Sequence, residues 1–331
     1  MNRQIVFKSR PEGMPKTTDF EIKETSVPEL KDGEAKVKAK YISVDPYMRG
    51  RMSSAKSYTA GFELNTPMAG GVVGEVVESR YPDLKKGDFV LGNMPWQEIQ
   101  NISGDELTKV DKDLAPLGYY LGILGMPGLT AYFGLNEIGE PREGETVVVS
   151  GAAGAVGLAV SQIARIKGCR VVGIAGSEEK ISYLKNEIGV DEAINYKNTG
   201  NIAEALASAC PNGVDVYFDN VGGEISDAVL SLINKHARII ICGQISLYNS
   251  TTQPTGPRIQ PLLLKSSARM QGFIVRDYAD RFPEGMQHLA AWLKEGKLKY
   301  RQTVVKGFEK LPETFIGLFE GKNTGKMMVE V

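Results

Sequence analysis

Along residues 1–110, apolar and polar positions alternate in short runs closed by Gly, Pro and Asp. The runs at 34–41, 71–78 and 88–91 have the alternation of half-buried strands and predict a β-rich domain. From residue 145 the period changes. Apolar runs at 146–150, 170–175, 193–195, 214–219, 237–242 and 270–275 predict strands, and the segments 155–167, 177–187, 201–209 and 223–233 predict helices. Strands and helices alternating at this spacing imply an α/β fold with a doubly wound parallel sheet. The tail mixes both types, with helices at 287–294 and 311–320 and strands at 302–305 and 326–331, and is expected to pack back on the first domain.

Composition narrows the chemistry. The chain has 331 residues, with 39 basic against 40 acidic side chains, so no nucleic-acid partner is expected. Its two histidines, His236 and His288, and three cysteines, Cys169, Cys210 and Cys242, all lie beyond residue 168, so no imidazole or thiolate metal site can form in the first half. An odd, sparse cysteine count and the absence of an apolar run in residues 1–8 lead us to expect a cytoplasmic protein. The uncharged stretch 114–136 matches a membrane span in length, but Pro116, Pro127 and several glycines interrupt it, and it reads as a buried domain junction.

The strand at 146–150 runs into Gly151-Ala152-Ala153-Gly154-Ala155-Val156-Gly157 and then a helix. In that context the glycines have distinct tasks. Gly154 admits close approach of a pyrophosphate, Gly157 lets helix and sheet pack, and the helix start offers unpaired N–H groups to an anion. About 20 residues on, a carboxylate would mark NAD by bonding the ribose 2′-hydroxyl. Here that strand ends in Gly176-Ser177, with Lys180 one turn later, which leaves room and counter-charge for the 2′-phosphate of NADP. Glu178 or Glu179 turned back toward the ribose would instead admit NAD.

Six ordered motifs carry a family resemblance along essentially the whole chain. They are residues 43–52 (SVDPYMRGRM), 125–132 (GMPGLTAY), 152–157 (AAGAVG), 218–223 (FDNVGG), 241–249 (ICGQISLYN) and 321–326 (GKNTGK). In these the chain resembles the zinc-independent medium-chain dehydrogenase/reductases, within them the leukotriene and prostaglandin reductase, alkenal double-bond reductase and bacterial curcumin reductase group. The resemblance implies a GroES-like β-rich domain, residues 1–122 completed by 296–331, and a Rossmann NADP-binding domain, residues 123–295, with the cofactor cleft where they meet. It implies that NADP(H) is held by Gly154, Ala155, Val156, Gly157, Lys180, Tyr196, Asn220, Cys242, Gly243, Gln244, Ile245, Ser246, Tyr248, Phe273, Ile274, Val275 and Asn323. Met126 and Thr130 are expected at the nicotinamide end. It also implies a homodimer paired through the sheet edge near 270–275. Where metal-dependent relatives carry an early zinc-ligating cysteine, this chain has Asp45-Pro46-Tyr47, so no metal is expected.

Without a Lewis acid, conjugate reduction of an enal or enone is the accessible chemistry: hydride goes to the β-carbon, and the charge spreads onto the carbonyl oxygen, which needs a hydrogen bond. Tyr248, after the 237–242 strand, is the first candidate for that bond, and Tyr47 is the second, as a pocket wall. The alternatives are an NADPH:quinone reductase of the same superfamily and a non-catalytic module that binds NADPH or nucleic acid.

Overall fold

The computed structural model describes residues 2–331, which form two units. The first runs to Leu121 and takes back Gln302–Val331; the second is Gly122–Arg301. These junctions fall at 121/122 and 301/302, against the 122/123 and 295/296 expected from sequence.

In the first unit, β1 (Asn2–Phe7) and β2 (Phe20–Thr25) pair antiparallel. The strands β3 (Glu34–Ser43), β4 (Ala69–Ser79), β5 (Phe89–Pro95), β6 (Ile99–Ser103) and β7 (Thr108–Val110) build an antiparallel sheet, and a short helix α1 (Tyr47–Arg51) follows β3. Alternation does what the pattern demands: Ala35, Val37 and Ala39 of β3 face a core that includes Trp96, Phe20 and Phe315, whose rings pack at centroid distances of 6.2–6.4 Å.

The second unit opens with α2 (Met126–Phe133). It continues as β8 (Thr146–Ser150), α3 (Ala155–Ile166), β9 (Arg170–Ala175), α4 (Glu178–Tyr183), β10 (Glu192–Asn195), α5 (Ile202–Ala209), β11 (Val214–Asp219), α6 (Gly223–Leu230), β12 (Ile233–Ile241), α7 (Gln260–Ser266), β13 (Arg269–Gly272) and α8 (Phe282–Lys294). Its strand order is β10-β9-β8-β11-β12-β13, parallel throughout, which is the Rossmann arrangement. Every residue of β8 is buried, as expected for a strand covered on both faces. The chain then returns to the first unit as β14 (Gln302–Lys306), α9 (Leu311–Phe319) and β15 (Lys326–Glu330), with β15 antiparallel to β3 and α9 supplying Phe315 to the core.

Several elements differ from the sequence reading. The strand expected at 270–275 stops at Gly272, because Val275–Arg281 coils into a 3₁₀ turn. The strand expected at 237–242 starts earlier, at Ile233, and kinks where His236 takes a φ of 64°. The helix expected at 287–294 begins at Phe282, with Pro283 in its first turn, where no N–H is missed. Helix α7 and the β1–β2 ladder lie where no element was expected. Within 114–136 the chain forms a 3₁₀ turn, Leu117–Leu121, and the short α2; among the described residues no helix is long and apolar enough to cross a membrane.

Candidate active site

At the carboxyl end of β8 the chain turns through Gly151, whose φ of 61° only glycine adopts readily. A Cβ on Gly157 would stand 2.3 Å from the Gly151 carbonyl oxygen, so this glycine is required for α3 to close on the turn. Gly154 caps α3 in an extended conformation, and Gly154, Ala155 and Val156 stay partly exposed while Gly157 is buried. The first-turn N–H groups of a 12-residue helix, together with its dipole, therefore face outward beside a turn with no side-chain bulk.

The adjoining turn, after β9, has a different character. Gly176 lies against the Tyr196 ring, so closely that a Cβ would approach it to 2.9 Å. Ser177 caps α4 by accepting from the Lys180 backbone N–H. Lys180 is half-buried, and burial first, then the nearby Lys197 charge, lowers its pKa. The two carboxylates that could have claimed the site for a ribose hydroxyl are engaged elsewhere. Glu178 accepts from the side-chain amides of Asn195 (2.5 Å) and Asn198 (3.2 Å), and Glu179 pairs with Arg301 at 3.1 Å. Two lysines, a tyrosine and a glycine without bulk make a donor set that suits a phosphate monoester. Lys197 was missed in the sequence reading, although it directly follows Tyr196.

The turns after β8, β11 and β12 are tied into one rim. Asn220 donates through its amide to the Ser150 carbonyl at 2.8 Å. The N–H groups of Ile245 and Ser246 donate to Asn220 and Val221 carbonyls, and the Ser246 hydroxyl also donates to Val221 at 2.6 Å. Cys242, Gly243, Gln244, Tyr248, Phe273 and Ile274 line one open cavity of about 400 Å³, with Ile241, Gly272 and Asp277. Val275, Ile245 and Ser246 are outside its lining. The Tyr248 hydroxyl oxygen accepts from the Gln244 N–H at 3.4 Å, and accepting a bond makes the O–H a stronger donor. The Cys242 thiol is pushed up to about 12 by burial and, second, by the charge of Asp219, which disfavours the nucleophilic thiolate.

The remaining candidates are carried by other elements. Met126 and Thr130 sit on α2, where the Thr130 hydroxyl is turned back onto the Met126 carbonyl (2.7 Å). Tyr47 and Asn323 belong to the first unit. Asn323 closes its own turn through the Gly325 carbonyl, and Tyr47 opens α1. A buried ion pair, Lys326 with Asp45 at 3.0 Å, joins the segments that carry them; Lys326 also donates to the Val44 and Met327 carbonyls at 2.8 Å, and Asp45 accepts from Ser43. Among the described residues no group of three or more His, Cys, Asp or Glu is placed to hold a metal ion.

Two family models match the chain: the N-terminal domain of oxidoreductase over residues 3–110, and zinc-binding dehydrogenase over residues 155–291. The NADPH-dependent curcumin reductase of Escherichia coli (strain K12) is 46% identical over 335 residues, covering 100% of this chain and 97% of that protein. The NADP⁺-dependent 2-alkenal reductase of Nicotiana tabacum is 44% identical over 337 residues, covering 100% and 97%. The crystal structure of CurA from Vibrio vulnificus in complex with NADPH superimposes with a TM-score of 0.95 at 46% identity, covering 99% of each chain.

Proposed function

The chain belongs to the zinc-independent medium-chain dehydrogenase/reductases, in the curcumin, alkenal and prostaglandin reductase group, and we propose that it reduces the C=C bond of α,β-unsaturated aldehydes and ketones with NADPH. The observation that carries this reading is the position of Tyr248 on the cavity at the carboxyl edge of the sheet, next to the Asn220 turn, which is itself bonded to Ser150 at the head of the Gly151–Gly157 turn. When bound against an enone, NADPH would supply hydride to the electron-poor β-carbon, and the enolate left behind takes a proton at its α-carbon from a tyrosine, a ribose hydroxyl or water.

The residues then have separable tasks. First-turn N–H groups of Ala155 and Val156 receive the pyrophosphate, and Lys180, Lys197 and Tyr196 receive the 2′-phosphate. Asn220 and the 242–246 turn fix the ribose end. The Tyr248 O–H donates to the substrate carbonyl oxygen as negative charge gathers there, a bond stronger in the transition state than in the ground state. Tyr47 is assigned to the substrate wall. The near-balance of 39 basic and 40 acidic residues supports a small-molecule substrate without a nucleic-acid partner, and we assign the enzyme to the cytoplasm.

Tyr248→Phe is expected to lower kcat on enones about 100-fold, the usual scale for losing one donor to a developing oxyanion, and to weaken NADPH binding far less. Stopped-flow and steady-state NADPH oxidation measure the two quantities. Unchanged turnover would remove Tyr248 from the chemistry, and consumption of NADPH with quinones alone would replace the enone reading with quinone reduction.

We also assign a homodimer paired through β13. This strand ends the parallel sheet with one side unpaired and three of its four residues exposed, an edge open to a second chain. Light scattering is expected to give twice the 36.0 kDa chain mass, and a monomer mass at micromolar concentration would reject the assignment.

A further inference from the structure

Asp219, the last residue of β11, is 0% exposed. One of its carboxylate oxygens takes all its hydrogen bonds: Oδ1 accepts from the hydroxyls of Ser150 (3.0 Å) and Tyr217 (2.8 Å) and from the N–H groups of Val221 (3.0 Å) and Gly222 (2.9 Å). No protein group donates to Oδ2, and among the described residues no cation pairs with the carboxylate. Four donors on one oxygen are the environment of an ionised carboxylate, which only accepts. The molecule thus keeps an uncompensated negative charge in its interior, an arrangement that costs stability unless it has a use.

The place of that charge suggests the use. The backbone carbonyl of Asp219 accepts from the N–H groups of Cys242 (2.9 Å) and Gly243 (3.1 Å), so the turn that lines the 400 Å³ cavity rests directly on this residue. No side chain needs to move for the charge to act there, and in a low-dielectric surrounding it acts at longer range than in water. A ring in the cavity that gains a positive charge is stabilised by it, whereas a neutral ring is not.

We propose that Asp219 is an electrostatic bias on the redox state of the bound nicotinamide, favouring its cationic, oxidised form and so the departure of hydride toward substrate. This rests on the functional reading above: Tyr248 there meets the substrate carbonyl from the cavity wall, so the ring that gives up hydride lies over the same cavity. The two electrons and the proton of the hydride leave a neutral ring, which becomes cationic, and enter the bond to the substrate β-carbon. Asp219 touches neither partner and keeps its charge throughout.

Asp219→Asn tests this, because it removes the charge and retains an oxygen for the four donors. Isothermal titration with NADP⁺ and with NADPH gives two dissociation constants. Their ratio is expected to move about tenfold against NADP⁺. A ratio unchanged within about twofold would overturn the proposal. Tyr217→Phe removes a donor and keeps the charge, and it should leave the ratio where the wild type has it; a shift equal to that of Asp219→Asn would assign the effect to geometry and also overturn the proposal.

A second readout needs no dinucleotide. Asp219→Asn should accelerate iodoacetamide labelling of Cys242 at alkaline pH several-fold, followed by peptide mass mapping, with Cys169 and Cys210 unaffected. Wild-type protein that binds neither dinucleotide sinks the functional reading, whereas binding of both with an insensitive ratio sinks only this inference.

Discussion

Lys180→Ala will weaken NADPH binding by about 10- to 100-fold and leave NADH binding nearly unchanged, the loss expected for one charge-assisted bond to a phosphate. Specificity should fall most through this residue because it brings a full charge to the turn, with Lys197 and Tyr196 left to hold the phosphate more weakly; Gly176 has no side chain, and Glu178 and Glu179 are bonded away from the site. Burial and Lys197 lower the pKa of Lys180 in the free protein, and a dianionic phosphate would oppose that shift. NADPH affinity is therefore expected to fall, relative to NADH, at a pH below the usual lysine range, as Lys180 loses its proton. Fluorescence titration of both dinucleotides across pH reads both effects. Equal losses for NADPH and NADH in Lys180→Ala would place the lysine away from the 2′-phosphate.

Lys326→Met will destabilise the first unit by about 3–5 kcal/mol, since removing one member of a buried ion pair leaves the other unpaired in the interior. For a unit of this size the thermal midpoint should fall roughly 10 °C. Lys326 is 1% exposed and Asp45 6%, and the lysine has all three N–H directions occupied by Asp45, Val44 and Met327. Burial lowers the Lys326 pKa while Asp45 acts in the opposite direction, so the charge depends on its partner. Combining Lys326→Met with Asp45→Leu should recover much of the lost stability, because neither residue then leaves a lone charge behind. The pair fastens β15 to the start of the Pro46–Tyr47 turn, so the single variant should also lower turnover through Tyr47. Calorimetry of the single and double variants decides; an additive double loss would show packing, and not charge pairing, to be at stake.

Much of this architecture was readable because it is local. The strand at 146–150 and the glycines behind it state their geometry within twelve residues, and the β8–α3 turn follows from the space a Cβ would take at Gly157. The same holds for the bare end of β9 at Gly176 and Ser177. What could not be read depends on partners far along the chain. Glu178 and Glu179 left the choice of dinucleotide open in sequence, and they are turned aside by Asn195, Asn198 and Arg301, the last of them 122 residues away from Glu179. Asp219 looked like one member of a motif, and only the register of β8 beside β11 brings Ser150 to its carboxylate. Asp277 enters the cavity because the chain after β13 coils early instead of extending to 275. Helix α7 follows directly on a stretch of Ser, Thr and Pro whose composition resembles a loop, and Pro261 in its first turn reads equally well as a breaker or as a helix start.

The chemistry itself is tested by following one hydride. Given a simple enone and NADPH carrying deuterium on the transferable ring position, the enzyme should yield the saturated ketone with deuterium on its β-carbon, read by proton NMR and mass spectrometry. An allylic alcohol with deuterium on the former carbonyl carbon, or a saturated ketone without label at the β-carbon, would contradict conjugate reduction by this protein.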